Sequence, residues 1–428
     1  MVEQQRFYGW ISLIGVMAAY AGLCGNITYA YGLFLPAMSE TFHWSRSALS
    51  GPYVLFFLLG GLLGPVAGMT VARFGPRKNI IGFNIVAALG LFGMSQINTI
   101  WQIYLFFGVM GGLGIAFGEF IPLTTVINNW FIRRRSMAMG LFLASGGIGG
   151  FAFPPLISKL ISGLGWRWAW VILAGQHLLL PVILGGILVR NRPEDIGRHP
   201  DAISDLTDQT SLNHPAHHKP VYQTPVDWTV KEAMRTPALW MIIALFSVIL
   251  FVTNMLTTHQ VAYLQDLNFS SLVSATALGL MLGMSILGRL ACGLLGLRFE
   301  GRHLAVFFLA CMGAGIICLM HARGILFIHL YSILTGIGFG GMIVLMPNLF
   351  GAYFGRTHFP RIIGWTAPVV TLISAGSPAL AGFLYDATGN YFIPFSIAVA
   401  FVVTGIILAL LIRPPGLPKV DKQPSIQD

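Results

Sequence analysis

The stretch Gly68-Met69-Thr70-Val71-Ala72-Arg73-Phe74-Gly75-Pro76-Arg77-Lys78 closes one long apolar run and opens another. It has a second copy, Gly293-Leu294-Leu295-Gly296-Leu297-Arg298-Phe299-Glu300-Gly301-Arg302, again at the end of an apolar run. Both read Gly-x-x-x-x-Arg-Phe, and their offset of 225 residues is about half of the 428-residue chain. A unit repeated at that spacing, with a small residue at the helix end and a basic turn after it, is what two membrane bundles rocking against each other require.

Working outward from these turns, runs long enough to cross hydrocarbon at about 20 residues each lie near 10–35, 48–72, 79–97, 101–130, 137–163 and 167–189. After a polar stretch, six more lie near 237–263, 272–297, 303–321, 324–353, 363–385 and 390–412. The sequence therefore predicts an all-α membrane protein, twelve transmembrane helices in two pseudo-symmetric six-helix bundles. Its parts are an N-terminal bundle over 1–190, a linker over 191–236, a C-terminal bundle over 237–413 and a cytoplasmic tail over 414–428. Composition excludes the soluble alternatives. The chain is 55% hydrophobic and 9% charged, with mean hydropathy +0.75, and a water-soluble domain of this size needs more charge for its surface.

If both termini are cytoplasmic, twenty of the 25 lysines and arginines fall in cytoplasmic segments. Opposite them stand Arg46, Lys159, Arg167 and Arg323, with Arg289 inside a span. The positive-inside rule then predicts a multi-pass protein of the inner or plasma membrane with N and C termini in the cytoplasm. Loop bias also accounts for the net charge of +10 without a nucleic-acid partner. A first span starting near residue 10 and outrunning a signal h-region predicts no cleaved leader. Cys24, Cys292, Cys311 and Cys318 all fall in spans without paired spacing, which argues for structural cysteine over a disulfide or zinc site.

The connector rich in proline and histidine reads as a mobile cytoplasmic linker. His214, His217 and His218 lack the fixed helical spacing of a metal site. The stretch over 228–235 leads straight into the seventh span and predicts a short interfacial helix.

At the opening stretch the chain resembles the major facilitator superfamily, whose signature after the second span is Gly, three residues, Asp-Arg, one residue, Gly and then basic residues. Gly68, Arg73, Gly75, Arg77 and Lys78 match, whereas the acidic position is Ala72, and Leu297 in the second copy. The resemblance implies an interdomain charge network that latches the outward-open state. Arg73, Arg77 and Arg298 would be its gating residues, with either a weakened latch or a substitute acid such as Glu300.

Three further stretches are similar to the monocarboxylate transporter group and its relative, the oxalate/formate antiporter. They are Asn129-Trp130-Phe131-Ile132-Arg133-Arg134-Arg135 with its continuation to Gly140, the turn Gly165-Trp166-Arg167, and His259-Gln260-Val261-Ala262-Tyr263. That resemblance implies an arginine in the eighth span that binds substrate carboxylate, and Gly288-Arg289 followed by Gly293 occupies the matching place.

Arg289 stands out on physical grounds as well. It lies nine residues before Arg298, about 14 Å along a helix at 1.5 Å per residue, near the middle of a core about 30 Å thick. A guanidinium there presents a rigid fork suited to a carboxylate. Gly279, Gly283, Gly288 and Gly293 keep its helix slim. The competing role is a structural arginine held by a fixed acid or by carbonyls. Glu119, eleven residues before Trp130, is similarly deep. Two roles compete for it: a proton carrier coupled to substrate, or a permanent counter-ion for Arg289.

His259 sits near the outer end of the seventh span, where proton entry competes with a plain helix-end hydrogen bond. His177 and His329 have no such context and read as satisfied interior histidines. Gly22, Asn26 and Tyr29 recur at i, i+4, i+7 and predict a polar stripe facing the central cavity. Phe120, Asn254, Tyr331 and Trp365 are further cavity candidates, chosen for mid-span polarity or aromatic bulk.

Hydrolase, zinc-protease and phosphate-loop motifs are absent, so neither an enzyme nor a cofactor is expected. The expectation is a carrier, monomeric as a functional unit, that moves a small carboxylate such as lactate or pyruvate with a proton. Alternatives are organic anion exchange, export of amphipathic compounds, or a membrane sensor built on a transporter fold. The antiporter handles its dicarboxylate with a lysine in the eleventh span, and no Lys or Arg occurs between Ile362 and Tyr385 here.

Overall fold

The computed structural model describes residues 7–28, 31–44, 46–201 and 221–416. Tyr29, His214, His217, His218 and the tail from 417 onward lie outside these residues. Among the described residues every regular element is a helix, without a strand.

Ten helices are long and apolar enough to cross a membrane, and the pair Gly51–Leu62 and Gly64–Phe74, bent by 56°, makes eleven. Pro76–Met94 fills the third position. Arg77, Lys78 and Asn79 in its first turn dilute its apolarity. In chain order the fourth to sixth spans are Ile100–Trp130, Arg135–Leu164 and Trp166–Leu188. Beyond the linker come Pro237–Asp266, Ser271–Leu295, Gly301–Met320, Ile325–Phe354, the pair Phe359–Ala375 and Ser377–Thr388, and Phe392–Leu411.

The basic turn that opened the sequence is made by Gly75, whose φ of +83° is a left-handed value that ends the second span. Pro76 follows as the first residue of the third, where its missing N–H costs nothing. Several spans of the N-terminal half depart from the regular helix. The first widens to a π-turn over Cys24–Thr28, the fourth over Tyr104–Gly111 and the sixth over Leu178–Leu184. The fourth also breaks at Glu119, whose φ −109° and ψ −105° lie outside the helical range.

The two halves meet along two seams, both at the end of the molecule that carries the linker. In one, the fifth span lies on the eighth, and a Cβ added to Gly140 would stand 2.9 Å from the Gly293 Cα. In the other, the second span lies on the eleventh, and a Cβ on Gly64 would stand 2.6 Å from the Gly364 carbonyl oxygen. Such small-residue contacts let helix backbones approach closely where lipid supplies no hydrophobic drive. In the far half of the eighth span, Gly279 and Gly283 face open space. The molecule is closed at its linker end.

Candidate functional site

Arg289 sits on the seam between the fifth and eighth spans and is 8% exposed. Its Nη1 donates to the Leu143 carbonyl of the fifth span at 2.7 Å, and its Nε is buried without a partner. Among the described residues no carboxylate comes within ion-pair distance of it; the ion pairs there join Arg302 to Glu300 and Arg356 to Glu194. The guanidinium reaches the fifth span because Gly147 has no side chain: a Cβ there would stand 3.3 Å from Nη1. What the seam holds is a desolvated cation with unused donor capacity, a state stable only when a carbonyl, water or anion completes it.

Glu119 is linked to the same stretch of the fifth span through Cys24. It is buried at the break in the fourth span, and the Cys24 thiol of the first span donates to its Oε1 at 3.9 Å. Cys24 in turn abuts Gly146, where a Cβ would stand 3.0 Å from its Sγ. Glu119, Cys24, the Gly146-Gly147 backbone and Arg289 thus form one line across the first, fourth, fifth and eighth spans. Glu119 does not contact Arg289, which leaves the fixed counter-ion role without an ion pair to support it.

The remaining candidates within the spans fall into two groups, with Trp365 apart. Phe120 stands beside Glu119, just past the break. Asn26 lies two residues beyond Cys24 in the π-turn, fully buried, with neither amide atom partnered. Of the expected stripe, Gly22 does not face the central seam: it is packed on Leu180 of the sixth span, inside its own bundle. A π-turn holds more residues per turn than the α-helix from which i, i+4, i+7 was reckoned, so the register fails at that point.

The second group is interior to the other bundle. Tyr331 is fully buried, donates to Gln260 and lies 3.4 Å from the Met281 sulfur. It ties the tenth span to the seventh and eighth. Asn254 donates to the Ser374 carbonyl at 3.4 Å, next to the break in the eleventh span. His259 has both nitrogens engaged: Nε2 donates to the Pro378 carbonyl at 2.9 Å and Nδ1 accepts from the Tyr391 hydroxyl at 3.2 Å. Trp365 belongs to neither group. It is 46% exposed and lines an apolar groove of about 240 Å³ with Met234 and Trp240, apart from the Arg289 line.

At the linker end, the gating candidates make no bridge between the halves. Arg73 lies over its neighbour Phe74, Arg77 donates through Nε to the Gly186 carbonyl at 2.8 Å, and Arg298 is exposed. Glu300 is not the substitute acid: it pairs at 2.8 Å with Arg302, two residues along in the same turn. Linker carboxylates hold the closed end instead. Glu194 pairs with Arg356, which also donates to the Asn129 carbonyl at 2.6 Å. Asp201 accepts from the backbone N–H groups of Ile132, Arg133 and Arg134. Asp227 does the same for Arg356 and Thr357 and also accepts from the Thr357 hydroxyl. These two turns, before the fifth and the eleventh spans, are equivalent positions of the repeat. Sequence reading missed both aspartates because their partners lie 67 to 130 residues away.

Thr229 and Glu232 form a capping box that starts the short helix Val230–Met234. Two other residues carry more weight than the sequence suggested. Cys24, read as structural, is the donor to Glu119. His177, read as satisfied, bonds to Asn84 through Nε2 at 2.9 Å but leaves Nδ1 buried without a partner.

A family model described as Major Facilitator Superfamily matches residues 16–330. The chain is 26% identical to monocarboxylate transporter 13 of Bos taurus over 412 residues, covering 93% of this chain and 88% of that one. It is 26% identical to monocarboxylate transporter 1 of Homo sapiens over 434 residues, covering 94% and 84%. Among solved structures, the proton:xylose symporter XylE superposes with TM-score 0.72 at 13% identity, covering 94% of this chain and 96% of that one. The human organic anion transporter MFSD10 does so with TM-score 0.67 at 14% identity, covering 95% and 99%. At these identities the structural likeness speaks to the fold alone.

Proposed function

Because the chain belongs to the Major Facilitator Superfamily, we propose that it moves a small monocarboxylate, lactate-like or pyruvate-like, together with a proton by alternating access. The chain is a multi-pass membrane transporter related to the monocarboxylate transporters, not an enzyme. The observation that carries the finer reading is Arg289: a buried guanidinium on the seam between the halves, with a free Nε and no carboxylate among the described residues to neutralise it. One cation suits one carboxylate.

Charge arithmetic then supports coupling to a proton. An uncompensated charge in mid-membrane is costly to move. With anion bound and Glu119 protonated, the line from Glu119 to Arg289 has no net charge. Empty, with Glu119 ionised, it has none either. The two mixed states carry one net charge each and are disfavoured, so anion and proton travel together. The closed end carries the basic turns, and positive-inside bias makes it cytoplasmic; anion then enters from the far side.

The test is uptake of labelled L-lactate into proteoliposomes under an inward proton gradient, with Arg289→Gln alongside. Loss of a buried charged partner costs about 2–5 kcal/mol, so uptake by the variant is expected to fall by at least about thirtyfold. Wild-type rates in Arg289→Gln would refute the role of Arg289. Uptake driven only by preloaded anion would replace symport with exchange.

A further inference from the structure

We propose that Asn84 and His177 form a positioning device that aims Glu119 at Cys24 by holding the break in the fourth span, an inference that rests on Glu119 as the proton carrier. Pro122 has no N–H, so the Gly118 carbonyl four residues earlier loses its helical donor. Asn84 of the third span supplies one: its Nδ2 lies 3.2 Å from the Gly118 oxygen and 2.7 Å from that of Ile80. With Nδ2 given to two carbonyls, Oδ1 is the free acceptor, and His177 of the sixth span stands 2.9 Å away through Nε2. An amide oxygen only accepts, so His177 must carry its proton on Nε2. Both side chains are completely buried. Room for the amide exists only because residue 118 is glycine: a Cβ there would stand 2.6 Å from Asn84 Nδ2.

The consequence falls on the next residue. Glu119 takes its non-helical backbone at this point, and that turn directs its carboxyl to the Cys24 thiol. Filling a gap in the helix ladder does not by itself call for a histidine. Asn84 alone fills it, and His177, which fixes that amide through Oδ1, leaves its own Nδ1 orphaned. The titratable groups on the side of Glu119 are Cys24 on the first span, with Tyr20 bonded to it, and, beyond Gly146-Gly147 of the fifth, Arg289. The third and sixth spans contribute Asn84 and His177, which reach Glu119 only through the backbone at Gly118.

The experiment is proton-driven L-lactate uptake as a function of pH, with L-lactate counterflow beside it. Asn84→Ala and His177→Leu are expected to lose about tenfold or more in gradient-driven uptake, since a displacement of about 1 Å is worth that much. Their pH profile should shift while the counterflow KM stays near the wild-type value. His177→Gln, which keeps a donor for Asn84, should restore the wild-type profile. The double variant Pro122→Ala with Asn84→Ala returns an N–H to Gly118, so it guards against misfolding: it should be stable yet still show the shifted profile. Wild-type pH profiles in the double variant or in His177→Leu would overturn the proposal. If the wild type itself shows no proton-driven uptake, the functional reading fails, and carbodiimide labelling of Glu119 takes over as readout. Labelling altered in Asn84→Ala then supports the positioning role, and labelling at the wild-type rate overturns it.

Discussion

Two charges in apolar runs, Arg289 and Glu119, were legible from sequence because nothing else in mid-span demands so much of its surroundings. What was not legible is what lies between them. Cys24, Gly146 and Gly147 are ordinary span residues, and only the packed structure shows that they bring a thiol to Glu119 and let a guanidinium through. Tyr331 was ambiguous for the converse reason. A tyrosine in mid-span suits a cavity or a core equally, and its bond to Gln260 puts it in the core. The two charges lead to a prediction for Glu119→Gln, which fixes that site as neutral. The loaded carrier, arginine plus anion, stays balanced. The empty one carries an uncompensated charge costing about 2.5–3.5 kcal/mol, which slows its return by roughly a hundredfold. Net uptake should collapse and lose its dependence on external pH, while exchange of lactate for lactate stays within about threefold by the same balance. Accumulation against a gradient by Glu119→Gln would sink the proton-carrier role.

At the level of the element, hydropathy found the spans, and the repeated basic turn placed their ends. The π-turns left no trace in the pattern, so a stripe computed for a regular helix could not hold its register from Gly22 to Asn26. The linker held the larger surprise: Asp201 and Asp227 cap equivalent turns in the two halves, where the superfamily resemblance had pointed to an interdomain latch at the span ends. Burial alone would raise the Asp227 carboxyl, but hydrogen bonds from Thr357 and Arg356, with the Arg356 charge, outweigh it and hold the group below the usual aspartate range. A carboxyl lowered by folding stabilises above its ordinary pKa and loses that contribution as pH falls through the depressed value. The Asp227 contact should therefore be constant from neutrality down to mild acid and fail only in strong acid. Asp227→Asn removes the charge and should loosen the turn by about 1 kcal/mol or less at this exposed site. Protease cleavage of the linker is the readout: the variant should be cut faster at both pH 8 and pH 5.5, with little change for the wild type between them. A wild type that opens over that range would show that another group governs the linker.

For the whole molecule, two halves joined by a linker could be read from the repeat, but the side on which they touch could not. The seams are built from Gly64 against Gly364 and Gly140 against Gly293, and among 51 glycines the repeat marks Gly293 but nothing in the local sequence pairs these four. If the halves move as rigid bodies, prying one seam apart must also open the other. Gly64→Leu tests this. A leucine there has to displace the Gly364 backbone, and overpacking of that kind costs about 1–3 kcal/mol, roughly a 5- to 150-fold shift toward the state open at the linker end. Cys292 offers a native reporter on the other seam, since it is fully buried and its carbonyl accepts from Ser136 of the opposite half at 3.1 Å. With Cys24, Cys311 and Cys318 replaced by serine, maleimide labelling of Cys292 should rise by a factor in that range when Gly64 becomes leucine. Unchanged labelling would mean that the spans yield locally at the second seam, and a rocking motion of two intact bundles would have to be given up.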